Sequence, residues 1–361
     1  MSTFKVTVEK LVVEPHPNAD RLELAQVGLY RAVVPKGEYR TGDYAVYIPE
    51  QAVLPPELIE ELGLTGKLAG KDANRVKAVR LRGAVSQGVV CRPKALGTEP
   101  EDWAVGPAPG LDYAVALGIT KWTPEIPAHM SGKVIPAPEL IRWPDIENLK
   151  RYPDIFSPGE QVVATEKIHG TCCLVTYVKD GGQVFVSSKG FGERNLALEE
   201  DTTNLYWRAV ISYELGAALV DIAEDHAYSA VALFGEVYGQ GVQDLHYGKA
   251  AGRNETLGFV AFDIAAVDSA GKHWLDADVF DDFATQYDIP TAPVLHVGPF
   301  DLEKLTEIAS GPTVLGSGAH IREGIVIRPI TEQHSDVTGG RKIAKLVSDA
   351  YLLRKGGTEF E

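Results

Sequence analysis

Short apolar runs, each closed by a glycine or a proline, fill the first ~95 residues of this 361-residue chain. Residues 4–13 alternate early, residues 30–35 and 44–49 are bounded by Gly37, Gly42 and Pro49, and residues 75–82 alternate basic with apolar side chains. A period of two over so few residues is the pattern of half-buried strands. Val89, Val90 and Cys91 close the series, and residues 55–62 form its one short helical stretch. Some five strands in this length fit a small β-barrel of the OB type, and a sandwich fits the pattern as well.

The pattern then changes. Residues ~96–160 are rich in Pro and Gly and poor in periodicity. From Val162 strands and helices alternate. Residues 174–178 and 183–187 flank Lys179-Asp-Gly-Gly182, a hairpin signal. Residues 196–220 read as helix, and 230–238, 257–264 and 324–330 as strands. The expectation is two domains: an N-terminal all-β barrel over 1–115, a linker over 116–150 and an α+β domain with antiparallel sheets over 151–361.

Composition bounds the function. No run of 18 apolar residues predicts a membrane helix, and residues 1–10 lack an apolar signal core, so a cytoplasmic location is expected. Cys91, Cys172 and Cys173 show no metal-binding spacing and fit a reducing compartment. The net charge of −15 argues against a protein that coats nucleic acid, though local potential outweighs the total. Two basic stretches interrupt the acidic background: Arg75, Lys77, Arg80 and Arg82, then Arg341, Lys342, Lys345, Arg354 and Lys355. The first is a candidate strand-binding surface.

The sharpest local feature is Thr165-Glu-Lys-Ile-His-Gly-Thr171, in which a glycine three residues after a lysine lets the backbone turn and come close to a ligand. After it, in order, come Ser187-Ser-Lys-Gly190, Phe234-Gly-Glu-Val-Tyr-Gly239, Phe259-Val-Ala-Phe-Asp-Ile264, Glu323-Gly-Ile-Val-Ile-Arg-Pro329 and Lys342-Ile-Ala-Lys-Leu346. This ordered set resembles the covalent nucleotidyltransferases, the superfamily of ATP-dependent ligases and mRNA capping enzymes. With His169 in place of the usual aspartate, it resembles the branch that holds phage T4 RNA ligase 2. A barrel-like segment before the transferase domain, rather than after it, resembles the Deinococcus-type RNA ligase.

That resemblance implies an N-terminal OB domain and an ATP-grasp-like ligase domain. It implies that Lys167 attacks the α-phosphate of ATP, with Mg or Mn as the divalent ion. Lys342 and Lys345 would lower the pKa of Lys167 from its free value of about 10.4 and neutralise the phosphate. Glu236 would hold the ribose hydroxyl, Lys189 the ribose or phosphates, and Glu323 the metal. Phe262 would stack on adenine, with Phe259 the fallback. Glu166 and the backbone of Ile168 and Gly170 would read the base. His169 is expected to hydrogen-bond structurally rather than to act as acid or base. The implied substrate is RNA or a nicked RNA-containing duplex, joined by a monomer with no membrane partner. A DNA ligase, a capping-type transferase and an inactive tRNA- or strand-binding protein are the alternatives.

Two departures blur this assignment. Relatives carry KxK where two residues separate Lys342 from Lys345, and Thr171-Cys-Cys replaces Thr-Asn. A further stretch, His16-Pro-Asn-Ala-Asp-Arg-Leu22, resembles part of tRNA-binding OB domains and fits a capping turn of the barrel too.

Overall fold

The structure is a computed structural model that describes residues 4–97, 111–123, 126, 130–247, 257–318 and 320–357. The chain divides into two compact units, Met1–Thr123 with Leu149–Pro153, and Pro124–Asn148 with Asp154–Glu361.

In the first unit, Tyr44–Ile48 is the middle strand between Thr7–Lys10 and Val89–Cys91, and Val12–Pro15, Leu22–Val27 and Tyr30–Pro35 form a second three-stranded sheet. Strand alternation sends Val46 and Ile48 into one apolar cluster and Ala45 and Tyr47 into another. Helix Pro56–Glu61 begins on a proline, whose missing N–H costs nothing in a first turn, and buries Leu58 and Ile59.

The second unit holds two sheets. The larger has the order Val134–Pro136, Leu196–Leu198, Gln183–Ser188, Thr171–Val178, Ala230–Gly239, Leu257–Asp268 and Gly271–Trp274, all antiparallel. The smaller has the order Glu147–Asn148, Ala344–Val347, Gly324–Pro329, Gln161–Lys167 and Val294–Pro299, and only its Glu147–Asn148 edge is parallel. Cys173, Val175, Val237 and Phe259 point from the larger sheet into a core with helices Leu205–Ser212, Leu215–Asp225 and Ala277–Gln286. Leu174 and Phe234 point to the other side, where they meet Trp143, Ile343 and, from the smaller sheet, Val326. The two sheets therefore meet here through apolar packing.

Two expectations are corrected. Residues 196–220 are not one helix: Leu196–Leu198 pairs with Val134–Pro136, Asn204 then caps a helix by accepting from the N–H groups of Tyr206 and Trp207, and Glu214 breaks the run at a φ of 55°. Nor is 116–150 a loose linker. Leu117 and Ile119 fill the first unit's core and Thr120–Lys121 pairs with Ala52–Val53, while Leu140, Ile141 and Trp143 are buried in the second unit. The apolar residues here are spaced irregularly among prolines and glycines, so periodicity misses them. Among the described residues, no helix is long and apolar enough to cross a membrane.

Candidate active site

Lys167 ends the strand Gln161–Lys167, and cross-strand register decides what it faces. Lys167 lies opposite Gly324, and Thr165 opposite Val326, which in turn lies opposite Lys345. Residues directly opposite one another share a face. Lys167 and Lys345 thus point the same way, toward the face of the larger sheet that carries Cys172 and Glu236, themselves a cross-strand pair. The Lys167 Nζ sits 2.8 Å from Glu323 Oε1.

The turn after Lys167 is held by its backbone. The His169 N–H donates to Tyr247 Oη (2.6 Å), the Gly170 N–H to Glu236 Oε1 (3.0 Å), and Gln243 Nε2 donates to the Gly170 carbonyl (2.7 Å). A Cβ at Gly170 would lie 2.1 Å from the Val237 carbonyl oxygen, so only glycine lets the two strands approach this closely.

Lysines and carboxylates alternate around this turn. Lys189 pairs with Asp145, and Lys345 feels Lys167, Lys189, Asp145 and Glu323. Burial, with Lys167 and Lys189 beside it, brings the Lys345 amine down to about 8. Burial also pushes the Glu236 carboxyl up to about 8, against the pull of Lys167. Burial lowers the Lys167 amine as well, but Glu323 and Glu236 outweigh it and leave its pKa raised. The expected lowering at Lys167 is therefore not found, because its nearest partner is the Glu323 carboxylate rather than a lysine.

Other expected residues are placed as follows. Glu166 lies opposite Ile325 and turns to the face away from Lys167; its Oε2 accepts from the Val314 N–H (2.9 Å) and lies 3.6 Å from Arg322. Its side chain therefore anchors a loop rather than lining the lysine cluster. Ile168 packs in a cluster with Tyr247, Val260 and Phe262. Phe262 is the extra residue of a bulge where register shifts from Phe234–Asp263 to Gly235–Ala261, and it packs edge-on to Trp143 at 4.9 Å. Phe259 is buried on the helix-covered face near Tyr213, so the fallback lies on the wrong side of the sheet. Lys342 does not join the cluster: its Nζ pairs with Glu160 at 2.7 Å. Of the rest of that basic stretch, Arg341 pairs with Asp263 and Glu332, and Arg354 with Asp244.

In the first unit, the Arg75 guanidinium stacks on Trp122 at 3.8 Å, while Arg80 and Arg82 are exposed on the Val79–Leu81 and Ala84–Ser86 hairpin and Lys77 is half-buried. His16 is buried, its Nδ1 accepting from the Asn18 N–H and its Nε2 reaching the Leu81 carbonyl (both 3.1 Å), so the 16–22 stretch caps this hairpin. Sequence reasoning missed Asp145 and Trp143, which sit in the supposed linker, and Asp244, Tyr351 and Arg354 around His169. Trp143-Pro-Asp145 in a Pro-rich stretch and the place of Arg354 in the second basic stretch were the available signals.

Comparison with known proteins places the chain in a family. The family model for RNA ligases matches residues 160–347, which is more than half of the chain and takes in the Lys167, Glu236, Glu323 and Lys345 positions. The chain belongs to the RNA ligase family. An OB-fold domain model matches residues 5–93, which makes the N-terminal unit of this RNA ligase family member an OB fold and not a sandwich. Among solved structures, a Naegleria gruberi RNA ligase variant with ATP and Mn is 24% identical, with a TM-score of 0.76 over 96% of this chain and 98% of that one. A variant of the same enzyme with AMP and Mn is 24% identical, with a TM-score of 0.78 over 97% and 98%, respectively. The same ligase with PPi is 23% identical, with a TM-score of 0.75 over 97% and 98%. These likenesses establish that the two-domain fold is shared from end to end. No curated protein matches the chain.

Proposed function

We propose that this chain is an ATP-dependent RNA ligase that carries AMP on Lys167. The observation behind this reading is the Lys167 amine at a strand end, 2.8 Å from Glu323, with Lys345 and Lys189 beside it. A deprotonated Lys167 Nζ would bond to the α-phosphorus of ATP as the bond to the β-phosphate oxygen breaks and pyrophosphate leaves. The AMP would pass to a 5′-phosphate end, and a 3′-hydroxyl would then attack that phosphate and release AMP. Lys345 and Lys189 would neutralise phosphate charge. Phe262 and Ile168 would offer the base an apolar wall, and Glu236 would serve the ribose while it holds the Gly170 turn. The Glu323 carboxylate favours the protonated Lys167 amine, and drawing that carboxylate away would lower its pKa.

A divalent ion fits the donors present. Glu323 Oε2 is buried without a hydrogen bond, and the described residues contain no group of three or more His, Cys, Asp or Glu that would enclose an ion. Glu323, with water and phosphate oxygens, makes the sparse oxygen-only set that Mg and Mn accept. When bound, such an ion stabilises charge on the transferring phosphoryl group. Nicks with an RNA 3′-hydroxyl strand are the proposed substrate, and RNA repair the proposed setting.

The test is label transfer from α-labelled ATP to the protein, after bound AMP has been removed with pyrophosphate. Label on the unaltered chain and none on Lys167→Ala is expected, with GTP ineffective. Equal labelling of both, or preference for GTP, overturns the reading.

A further inference from the structure

The residues around His169 form a chain of contacts that the proposed chemistry has not used. His169 Nε2 lies 2.8 Å from Asp244 Oδ1. Arg354 grips the same carboxylate with two bonds, Nε to Oδ2 at 2.7 Å and Nη2 to Oδ1 at 3.0 Å. The Tyr351 hydroxyl lies 2.8 Å from His169 Nδ1, and the Arg354 guanidinium stacks 3.6 Å over the Tyr351 ring. His169 Nδ1 is 3.8 Å from Glu323 Oε2, and Glu323 Oε1 holds Lys167. Tyr351 and Arg354 both lie beyond residue 347, where the RNA ligase match ends.

Hydrogen-bond chemistry orders this chain. Nε2 faces both the Asp244 carboxylate, which only accepts, at 2.8 Å and Arg354 Nη2, which only donates, at 3.3 Å; the shorter contact favours the proton on Nε2. Nδ1 then carries a lone pair, and the Tyr351 hydroxyl donates to it. Arg354 fixes the carboxylate plane by its two-point grip, as a lysine with a single point of charge would not. The ring is buried, so no water replaces a lost partner.

We propose that Asp244, Tyr351 and Arg354 are positioning residues that fix the tautomer and rotation of His169, and through Glu323 the approach of the Lys167 amine to the nucleotide phosphate. Helix Asp349–Leu352 and the residues after it are then part of the adenylation machinery. Ser348 starts that helix by accepting from the Tyr351 N–H, and its own hydroxyl donates to the Arg322 carbonyl next to Glu323. The His169 ring and Glu323 are thus braced from one short segment. This proposal rests on the ligase reading for its catalytic half.

Two measurements test it. Long-range ¹H–¹⁵N spectra of the unaltered chain are expected to show His169 as a single Nε2–H tautomer, and Asp244→Asn or Arg354→Ala to show exchange between tautomers. A mixture in the unaltered chain, or no change in the variants, overturns the proposal whatever the enzyme's activity. Single-turnover self-adenylation is expected to fall about 10- to 100-fold in Asp244→Asn, Tyr351→Phe and Arg354→Ala, with half-saturation by ATP little changed. The double variant Asp244→Asn/Arg354→Ala is expected to be no worse than the poorer single, and Arg354→Lys to recover only part of the rate. Multiplying losses, or a change confined to half-saturation, overturns the proposal. Unaltered rates in the variants sink the positioning role alone, whereas absence of label on the unaltered chain sinks the ligase reading and this role's catalytic half with it.

Discussion

Replacing Gly170 by alanine tests how closely the two strands must meet behind the nucleophile. The new Cβ would sit 2.1 Å from the Val237 carbonyl oxygen and 3.0 Å from Glu236 Cγ, against an ordinary contact of about 3.4 Å. The turn after Lys167 must therefore back away from the strand Ala230–Gly239 by roughly the difference, about 1.3 Å. The obstacle is backbone in the middle of a seven-stranded sheet, so the turn moves rather than the strand. That motion strains the bonds from the Gly170 N–H to Glu236 and from Gln243 to the Gly170 carbonyl. Overpacking costs about 1–3 kcal/mol and each weakened bond about 0.5–1.5 kcal/mol, so about 3 kcal/mol is expected. For a unit of this size that is a fall in Tm of about 6–12 °C. Activity should suffer more, because displacing a reacting group by about 1 Å costs about 100-fold. Thermal melting and single-turnover labelling with α-labelled ATP read both effects. A Tm within about 2 °C of the unaltered protein, with labelling within about threefold, would refute the reasoning.

Three further outcomes are expected. Lys345→Ala should slow labelling by at least about 100-fold, whereas Lys342→Ala should leave it within about threefold, since its amine pairs with Glu160; single-turnover labelling of the two variants decides. Glu236 has its folded pKa raised to about 8, so the native state holds a proton that the unfolded chain gives up near 4.5, and the resulting stability is present at low pH and lost as pH rises toward 8. Glu236→Gln should therefore raise Tm more at pH 8 than at pH 5, and a pH-independent difference would contradict the assignment. Alanine at Arg75, Lys77, Arg80 and Arg82 together should weaken nick sealing with a shallower salt dependence and leave self-adenylation intact; sealing at full rate across a salt titration would remove these residues from strand binding.

The sequence alone determined the local motifs and their order along the chain. The Lys167 peptide, its glycine, the Asp-Gly-Gly turn, with Gly181 and Gly182 at φ of 86° and 62°, and the strands Tyr30–Pro35, Tyr44–Ile48 and Val89–Cys91 declare themselves through turn chemistry and a period of two, whereas Leu22–Val27 was not read and residues 4–13 divide between two sheets. The order of the motifs along the chain was enough to mark the RNA ligase family. The tertiary structure decided which residues meet. Register across three strands chose Lys345 over Lys342 and turned Glu166 away from Lys167. A single bulge placed Phe262, and sheet-to-sheet packing drew Trp143 and Asp145 out of an apparent linker to the edge of the site. Helix Asp349–Leu352 brought Tyr351 beside a histidine 182 positions earlier in the chain. Such contacts are set by register and by the packing of faces, which depend on the whole sheet, so no local window of sequence carries them.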